Sequence, residues 1–241
     1  MTTTESQRNM KSTVAKLNTA LTSLSPGDGL REVASLFPQG VVFSTSLGQE
    51  DQVLTHLIAK ENLPIHIFTL DTGRLFPETL DLLARTEAKY GNKIQVYYPE
   101  SRDLESLVAQ QGINGFYASP ENRKSCCYAR KVAPLKRALK GQKVWVTGLR
   151  ATQNQNRGQM NKIEWDESNQ IIKYNPLLDW SFEEVLTFIE AHKVPYNPLH
   201  DKGFISIGCA PCTRAIGPDE DPRAGRWWWE SSSKECGLHT K

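Results

Sequence analysis

Five cysteines, at positions 126, 127, 209, 212 and 236, carry most of the chemical information in this chain. One pair is adjacent, one is Cys209-Ala210-Pro211-Cys212, and one cysteine stands alone. An odd count without an apolar leader argues against a disulfide framework. Four paired thiolates suit an iron–sulfur cluster or tetrahedral zinc. A Cys-x-x-Cys turn lets two sulfurs converge. Adjacent cysteines are unusual for structural zinc, whose ligands prefer spacers of about two to four residues. On a regular helix the sulfurs of Cys126 and Cys127 diverge, so both can ligate only with local distortion. A cluster with several iron corners tolerates that divergence better than one small ion. The plainer alternative is four buried thiols packed as small apolar groups. Cys236 is left over. Gly237 permits a tight turn beside it, Ser231-Ser232-Ser233 offers a hinge, and His239 is placed to lower a thiol pKa or contact an anion.

Those residues must be positioned by a scaffold. Val14, Leu17, Leu21 and Leu24 recur at helical spacing, and Pro26-Gly27-Asp28-Gly29 is expected to break that helix. A second helix is expected over 30–37. Strands are expected at 40–43, 65–70, 93–98 and 144–146, with a short one at 171–172. Helices are expected at 51–60, 77–90, 104–110, 128–139 and 181–192, the last with Ser181 and Glu184 forming a capping box. Strands alternating with helices imply a mainly parallel sheet covered on both faces. Ligands in such folds bind beyond the carboxyl ends of the strands. The segments 44–50, 69–74 and 147–157 all follow expected strands, so they share one edge.

Ser44-Thr45-Ser46-Leu47-Gly48-Gln49-Glu50 carries three hydroxyls and a glycine between a strand and a helix. Such a turn offers backbone N–H groups and a helix N-terminus to an anion. It is not a Walker loop, since no Gly-Lys-Ser/Thr follows. It resembles the phosphate loop of the PP-loop nucleotide-binding family, with Leu47 where a second glycine would sit. That departure favours a nucleotide with one 5′-phosphate over ATP.

Several segments together resemble the assimilatory adenylyl-sulfate (APS) reductases of the APS/PAPS reductase family. They are Thr69-Leu70-Asp71-Thr72-Gly73-Arg74, Cys126-Cys127-Tyr128-Ala129-Arg130-Lys131, Ser206 to Arg214, Gly225 to Glu230, and Lys234-Glu235-Cys236-Gly237-Leu238-His239. The resemblance spans roughly residues 40 to 239. It implies an α/β fold, a parallel-sheet adenine nucleotide α-hydrolase-like domain over 39–220. A helical segment over 1–38 would precede it, and a mobile catalytic tail over 221–241 would follow. It implies a [4Fe–4S] cluster on Cys126, Cys127, Cys209 and Cys212, with an electrostatic and structural role. Cys236 would be the nucleophile, with Lys131 and His239 completing a cationic cage. Arg157, Arg223 and Arg226 match positions that contact the phosphosulfate. Ser44, Thr45, Ser46, Gly48, Leu70, Thr72 and Gly73 fall in the matching nucleotide-binding loops. No further cysteine remains to regenerate Cys236, so an external dithiol is required, and thioredoxin is the implied donor. Relatives are often dimers or tetramers, so a homo-oligomer is implied as well.

The bulk properties agree. With 241 residues, 23% charged and 39% hydrophobic, the chain has the composition of a globular domain. A net charge of +2 gives no ground for nucleic-acid binding. The first ten residues are polar and no apolar run reaches membrane-spanning length, so a soluble cytoplasmic protein is expected. Three rival functions stay in view: reduction of 3′-phosphoadenylyl sulfate (PAPS), alone or alongside APS; an ATP-using PP-loop enzyme such as one that thiolates tRNA; and a nucleotide-binding iron–sulfur sensor. Lys131, four residues after Cys127, would share its face on a regular helix. Trp227-Trp228-Trp229 is expected to anchor the start of the tail.

Overall fold

The computed structural model of the chain describes residues 3–153 and 160–230, with side chains from residue 12 onward. Six strands form one sheet: β1 (Val41–Thr45), β2 (His66–Leu70), β3 (Gln95–Tyr97), β4 (Val144–Val146), β5 (Ile163–Asp166) and β6 (Ile171–Tyr174). Their order is β3-β2-β1-β4-β6-β5. Every neighbouring pair is parallel except β5 with β6. The helices are α1 (Thr3–Leu21), α2 (Pro26–Leu36), α3 (Gln49–Lys60), α4 (Pro77–Tyr90), α5 (Ser101–Gln111), α6 (Pro120–Cys127), α7 (Ala133–Leu139) and α8 (Phe182–Ala191).

The sheet is covered on both faces, and side-chain alternation decides which residue goes where. Val41 and Phe43 of β1 and Val144 and Val146 of β4 point into one core with Leu21, Leu30, Val53, Leu54 and Val185. Val42 and Trp145, from the same strands, point the other way, against Leu135, Ala138 and Leu139 of α7. Each fully buried aliphatic or Phe side chain contributes about 1.5–3 kcal/mol. β5 is the antiparallel edge, and Asn18 of α1 bonds both the N–H and the C=O of Ile163 there, at 3.1 and 2.8 Å.

Four local expectations need correction. α1 ends ahead of Pro26, at Leu21, but Pro26 to Gly29 is not a loop: it forms the first turn of α2, because Ser25 caps the Asp28 N–H and proline is suited to that first turn. β5 escapes a pattern search because Ile163-Glu164-Trp165-Asp166 buries only Ile163 fully. Ser44 and Thr45 belong to the end of β1 instead of a loop. The cysteine pair lies within a helix that begins at Pro120, capped by Ser119, not ahead of one that begins at Tyr128. The capping box of α8 forms as expected.

Candidate active site

β1 and β4 are neighbours, yet the chain leaves β1 toward β2 on one side and β4 toward β6 on the other. That arrangement opens a crevice beyond their carboxyl ends. A cavity of about 540 Å³ fills it. Its walls include Ser44 and Thr45 at the end of β1 with Ser46 and Gly48 just beyond, Leu70 at the end of β2 with Thr72 beyond, and Thr147 to Arg150 after β4. The segments expected to share an edge do so, the third as far as Gln153, beyond which 154–157 lie outside the described residues. Gly73 is not among the lining residues; its N–H closes a turn on the Asp71 carboxylate at 2.8 Å. Arg157, Cys236 and His239 lie outside the described residues.

Asp51, missed in the sequence, holds the floor of the crevice. Its carboxylate accepts from the Ser46 N–H at 2.5 Å and the Ser46 hydroxyl at 2.7 Å. A further bond comes from the Gly148 N–H, so the loops after β1 and β4 are tied through one buried side chain. Burial raises its pKa to about 6, even though the Ser46 bonds favour the charged form. A Cβ at Gly148 would overlap this carboxylate, which is why glycine stands there. Leu47 sits at φ 61, in the left-handed region that costs a non-glycine residue about 1–2 kcal/mol. The backbone thus keeps a glycine-type turn while the leucine side chain is buried. Trp145 fixes the entrance from below by donating its indole N–H to the Ser44 hydroxyl at 2.8 Å.

The far wall is built by a short hairpin. Thr213 bridges Arg226, the Arg214 N–H donates to the Gly225 carbonyl at 3.0 Å, and the Trp227 N–H donates to the Cys212 carbonyl at 3.2 Å. This hairpin presents Arg223 and Arg226 to the cavity and Cys209 and Cys212 to its opposite side. Arg226 is buried at 6% exposure and makes no ion pair among the described residues. Two of its bonds are long, 3.3 Å to the Ser206 hydroxyl and 3.4 Å to the Ile207 carbonyl. Its Nε has no hydrogen-bond partner among the described residues, and the absence of a Cβ at Gly208 leaves room for the fork. With no carboxylate paired to it among the described residues, its fork is open to an anion from the cavity, which would offset the cost of its burial. Arg150, by contrast, is tied to Glu50 at 2.8 Å, so its charge is already matched. His200 also lines the cavity; neither ring nitrogen makes a hydrogen bond of good geometry, and burial lowers its pKa.

All four remaining cysteines line a second, small cavity of about 20 Å³ together with Arg74, Arg123, Arg130 and Lys131. Between Cys127 and α7 the helix widens into a π turn over Tyr128–Val132, where the Ala133 N–H donates to the Tyr128 carbonyl. The cysteines themselves stay in the α-helical turn that ends α6, and the widening follows them; such π turns commonly mark functional sites. The widening also corrects the assumption of a regular helix beneath Lys131. Lys131 nevertheless lines both cavities. The loop after β2 serves the cysteines too. Thr72 Oγ1 lies 3.2 Å from Cys209 Sγ, and the Ala210 N–H donates to the Arg74 carbonyl at 2.8 Å.

The donor chemistry fits an iron–sulfur cluster. Burial opposes ionisation of Cys209, but Lys131, Thr72, Arg226 and Arg130 outweigh it and leave the pKa below its usual value. Burial pushes the Cys212 thiol up to about 12, reinforced by the charges of Cys209 and Cys127. Four thiolates cannot coexist there without bound cations among them. No three His, Cys, Asp or Glu side chains among the described residues are arranged to hold a metal ion. The ring of Arg74, Arg123, Arg130 and Lys131 around the four cysteines suits an anionic group held among them.

Comparison with known proteins agrees with this geometry. The sequence pattern of the phosphoadenosine phosphosulfate reductase domain matches residues 40–215. A protein of Allochromatium vinosum named adenosine 5′-phosphosulfate reductase is 56% identical over 202 residues, covering 83% of this chain and 79% of that relative. One of the same name from Agrobacterium fabrum is 46% identical over 240 residues, covering 99% and 92%. The crystal structure of a phosphoadenylyl-sulfate reductase from Candida auris, in complex with phosphate, superposes with a TM-score of 0.71 at 31% identity. It covers 84% of this chain and 96% of that one. An FMN adenylyltransferase of Candida glabrata, at 16% identity and a TM-score of 0.54, shares the fold alone. The match extends from β1 and the loop after it through both cysteine pairs, and by it the chain belongs to the phosphoadenosine phosphosulfate reductase family.

Proposed function

We propose that this chain reduces adenylyl sulfate to sulfite and AMP, with a dithiol protein as electron donor. The observation that carries the reading is a nucleotide-sized crevice whose wall holds the unmatched Arg226 and shares Lys131 with the four-cysteine cavity. The APS reductases among its relatives, at 46–56% identity, favour adenylyl sulfate as substrate.

Cys126, Cys127, Cys209 and Cys212 would hold a [4Fe–4S] cluster. When bound, the cluster supplies negative charge and rigidity beside Lys131. The loops after β1 and β4 receive the nucleotide, with Ser44, Thr45, Ser46, Gly48, Leu70 and Thr72 on its walls. Arg223 and Arg226, joined by Arg157, take the phosphosulfate oxygens, since a guanidinium fork binds two oxygens at once. Within the expected 221–241 segment, the residues up to Trp227 belong to the hairpin wall, and the remainder would carry Cys236 to the sulfate, with His239 lowering its thiol pKa. The Cys236 thiolate attacks the sulfate sulfur; an S–S bond forms, the S–O bond to phosphate breaks, and AMP leaves with that electron pair. A thiolate of the donor then attacks Cys236, sulfite departs with the S–S electrons, and the donor's second thiol resolves the mixed disulfide. The donor, thioredoxin or a similar protein, ends oxidised by two electrons. A cytoplasmic homo-oligomer completes the proposal.

Mass spectrometry of anaerobically purified protein after incubation with adenylyl sulfate tests this. A sulfonate adduct on the peptide containing Cys236 is expected, with stoichiometric AMP and no adduct in Cys236→Ser. Sulfite release that survives Cys236→Ser would overturn the mechanism. PAPS is the second substrate to assay, because the Candida auris structure is of an enzyme named for it. Turnover on both nucleotides separates the two.

A further inference from the structure

We propose that Trp227 is a positioning residue that orients Arg226 toward the substrate anion and ties it to the cysteine cavity. The proposal rests on the reductase reading for the identity of the anion. Trp227 is 2% exposed, yet its backbone stands at φ 42, in a region where a bulky side chain is an outlier. Such a conformation persists only where the surroundings over-determine it, and it clusters at functional sites. Two bonds hold it there: its N–H donates to the Cys212 carbonyl at 3.2 Å, and its own carbonyl accepts from the Glu230 N–H at 2.9 Å.

The indole ring meets two guanidinium groups. Arg226 Cζ lies 4.8 Å from its centroid and Arg123 Cζ 4.5 Å. The two arginines are differently committed. Arg123 is paired with Glu230 at 2.6 Å, both side chains buried, and lines the cysteine cavity. Arg226 has no such partner among the described residues and lines the large cavity. With only two long hydrogen bonds of its own, Arg226 depends on the ring face for its orientation. Stacking fixes a guanidinium plane without consuming its donors, so the fork stays available for oxygen atoms. Trp227 also reaches the second cavity's lining residues, with its ring on Arg123 and its backbone N–H on the Cys212 carbonyl.

The test is binding of adenylyl sulfate by calorimetry, on iron-loaded protein in the unreactive Cys236→Ser background. Trp227→Leu should weaken affinity about tenfold and Trp227→Phe about threefold, both with unchanged iron content and visible absorption. A double-mutant cycle of Trp227→Phe with Arg226→Lys should be strongly non-additive, because the ring acts through the guanidinium. Wild-type affinity in Trp227→Leu with the iron retained would overturn the proposal. So would additive effects in the Phe–Lys cycle, which stays measurable if the leucine variant fails to fold. Binding needs no turnover. A chain that binds adenylyl sulfate but, with Cys236 intact, releases no sulfite would refute the reductase reading and leave the Trp227 test standing.

Discussion

Single side chains decide the electrostatics of the crevice. Arg226 is buried and unmatched, Arg150 is buried and matched by Glu50, and Asp51 is a buried acid held by three donors. Asp51 makes a prediction with a definite sign. Its carboxyl is raised by burial from 3.8 to about 6. The folded protein therefore binds that proton more tightly than the unfolded chain. The contribution is fully present below about pH 4 and is lost as pH rises through 6, by about 3 kcal/mol in all. Asp51→Asn removes the titration. Urea unfolding across pH 4 to 7 should show wild type losing about that much relative to the variant as pH rises. A constant difference across the range would mean that Asp51 is ionised throughout.

Among the elements, the turns after β1 and β4 and the π turn between α6 and α7 do the positioning. Gly148 is the tightest point of the first pair, because any Cβ would strike Asp51. Gly148→Ala should lower unfolding free energy by about 1–3 kcal/mol, the usual cost of overpacking, and weaken adenylyl-sulfate binding in the same titration. Unchanged affinity would show that the two loops need not stay in register. Much of this level was readable in the sequence. Alternating apolar runs placed β1, β2, β4 and the helix 77–90, and the loop positions followed from them. Asp51 was not readable, because its role comes from Gly148 lying across the crevice. Arg150, Glu50 and His200 were missed for the same reason: each is a charged or polar residue whose burial is decided by chain segments far away in sequence. The π turn was not legible: the adjacent cysteines suggested a distortion at their own positions, yet they end a regular helix and the widening follows them. The rank of Trp227 above its two neighbours could not be read from three identical letters.

Across the whole molecule, the cysteine cavity joins two stretches separated by 81 residues, one at the end of α6 and one in the hairpin that carries Arg226. If a cluster bridges them, stripping iron should loosen both together. Hydrogen exchange on anaerobic protein, before and after chelation, should show faster exchange over 115–132 and 206–227. β1, β2 and β4 should stay protected, since their hydrogen bonds lie within the sheet. Colourless, iron-free protein with an unaltered exchange pattern would remove the cluster from the proposal.

The hairpin that closes the crevice also sets a schedule. Its residues, 212 to 227, follow every strand of the sheet in the chain. A ribosome delivers them only after β6 has emerged, so a nascent polypeptide can complete its sheet while the basin above it still lacks a side. Capture of an anion, or of anything the paired thiols hold, is in consequence an event of maturation, beginning once synthesis of that closing piece is done.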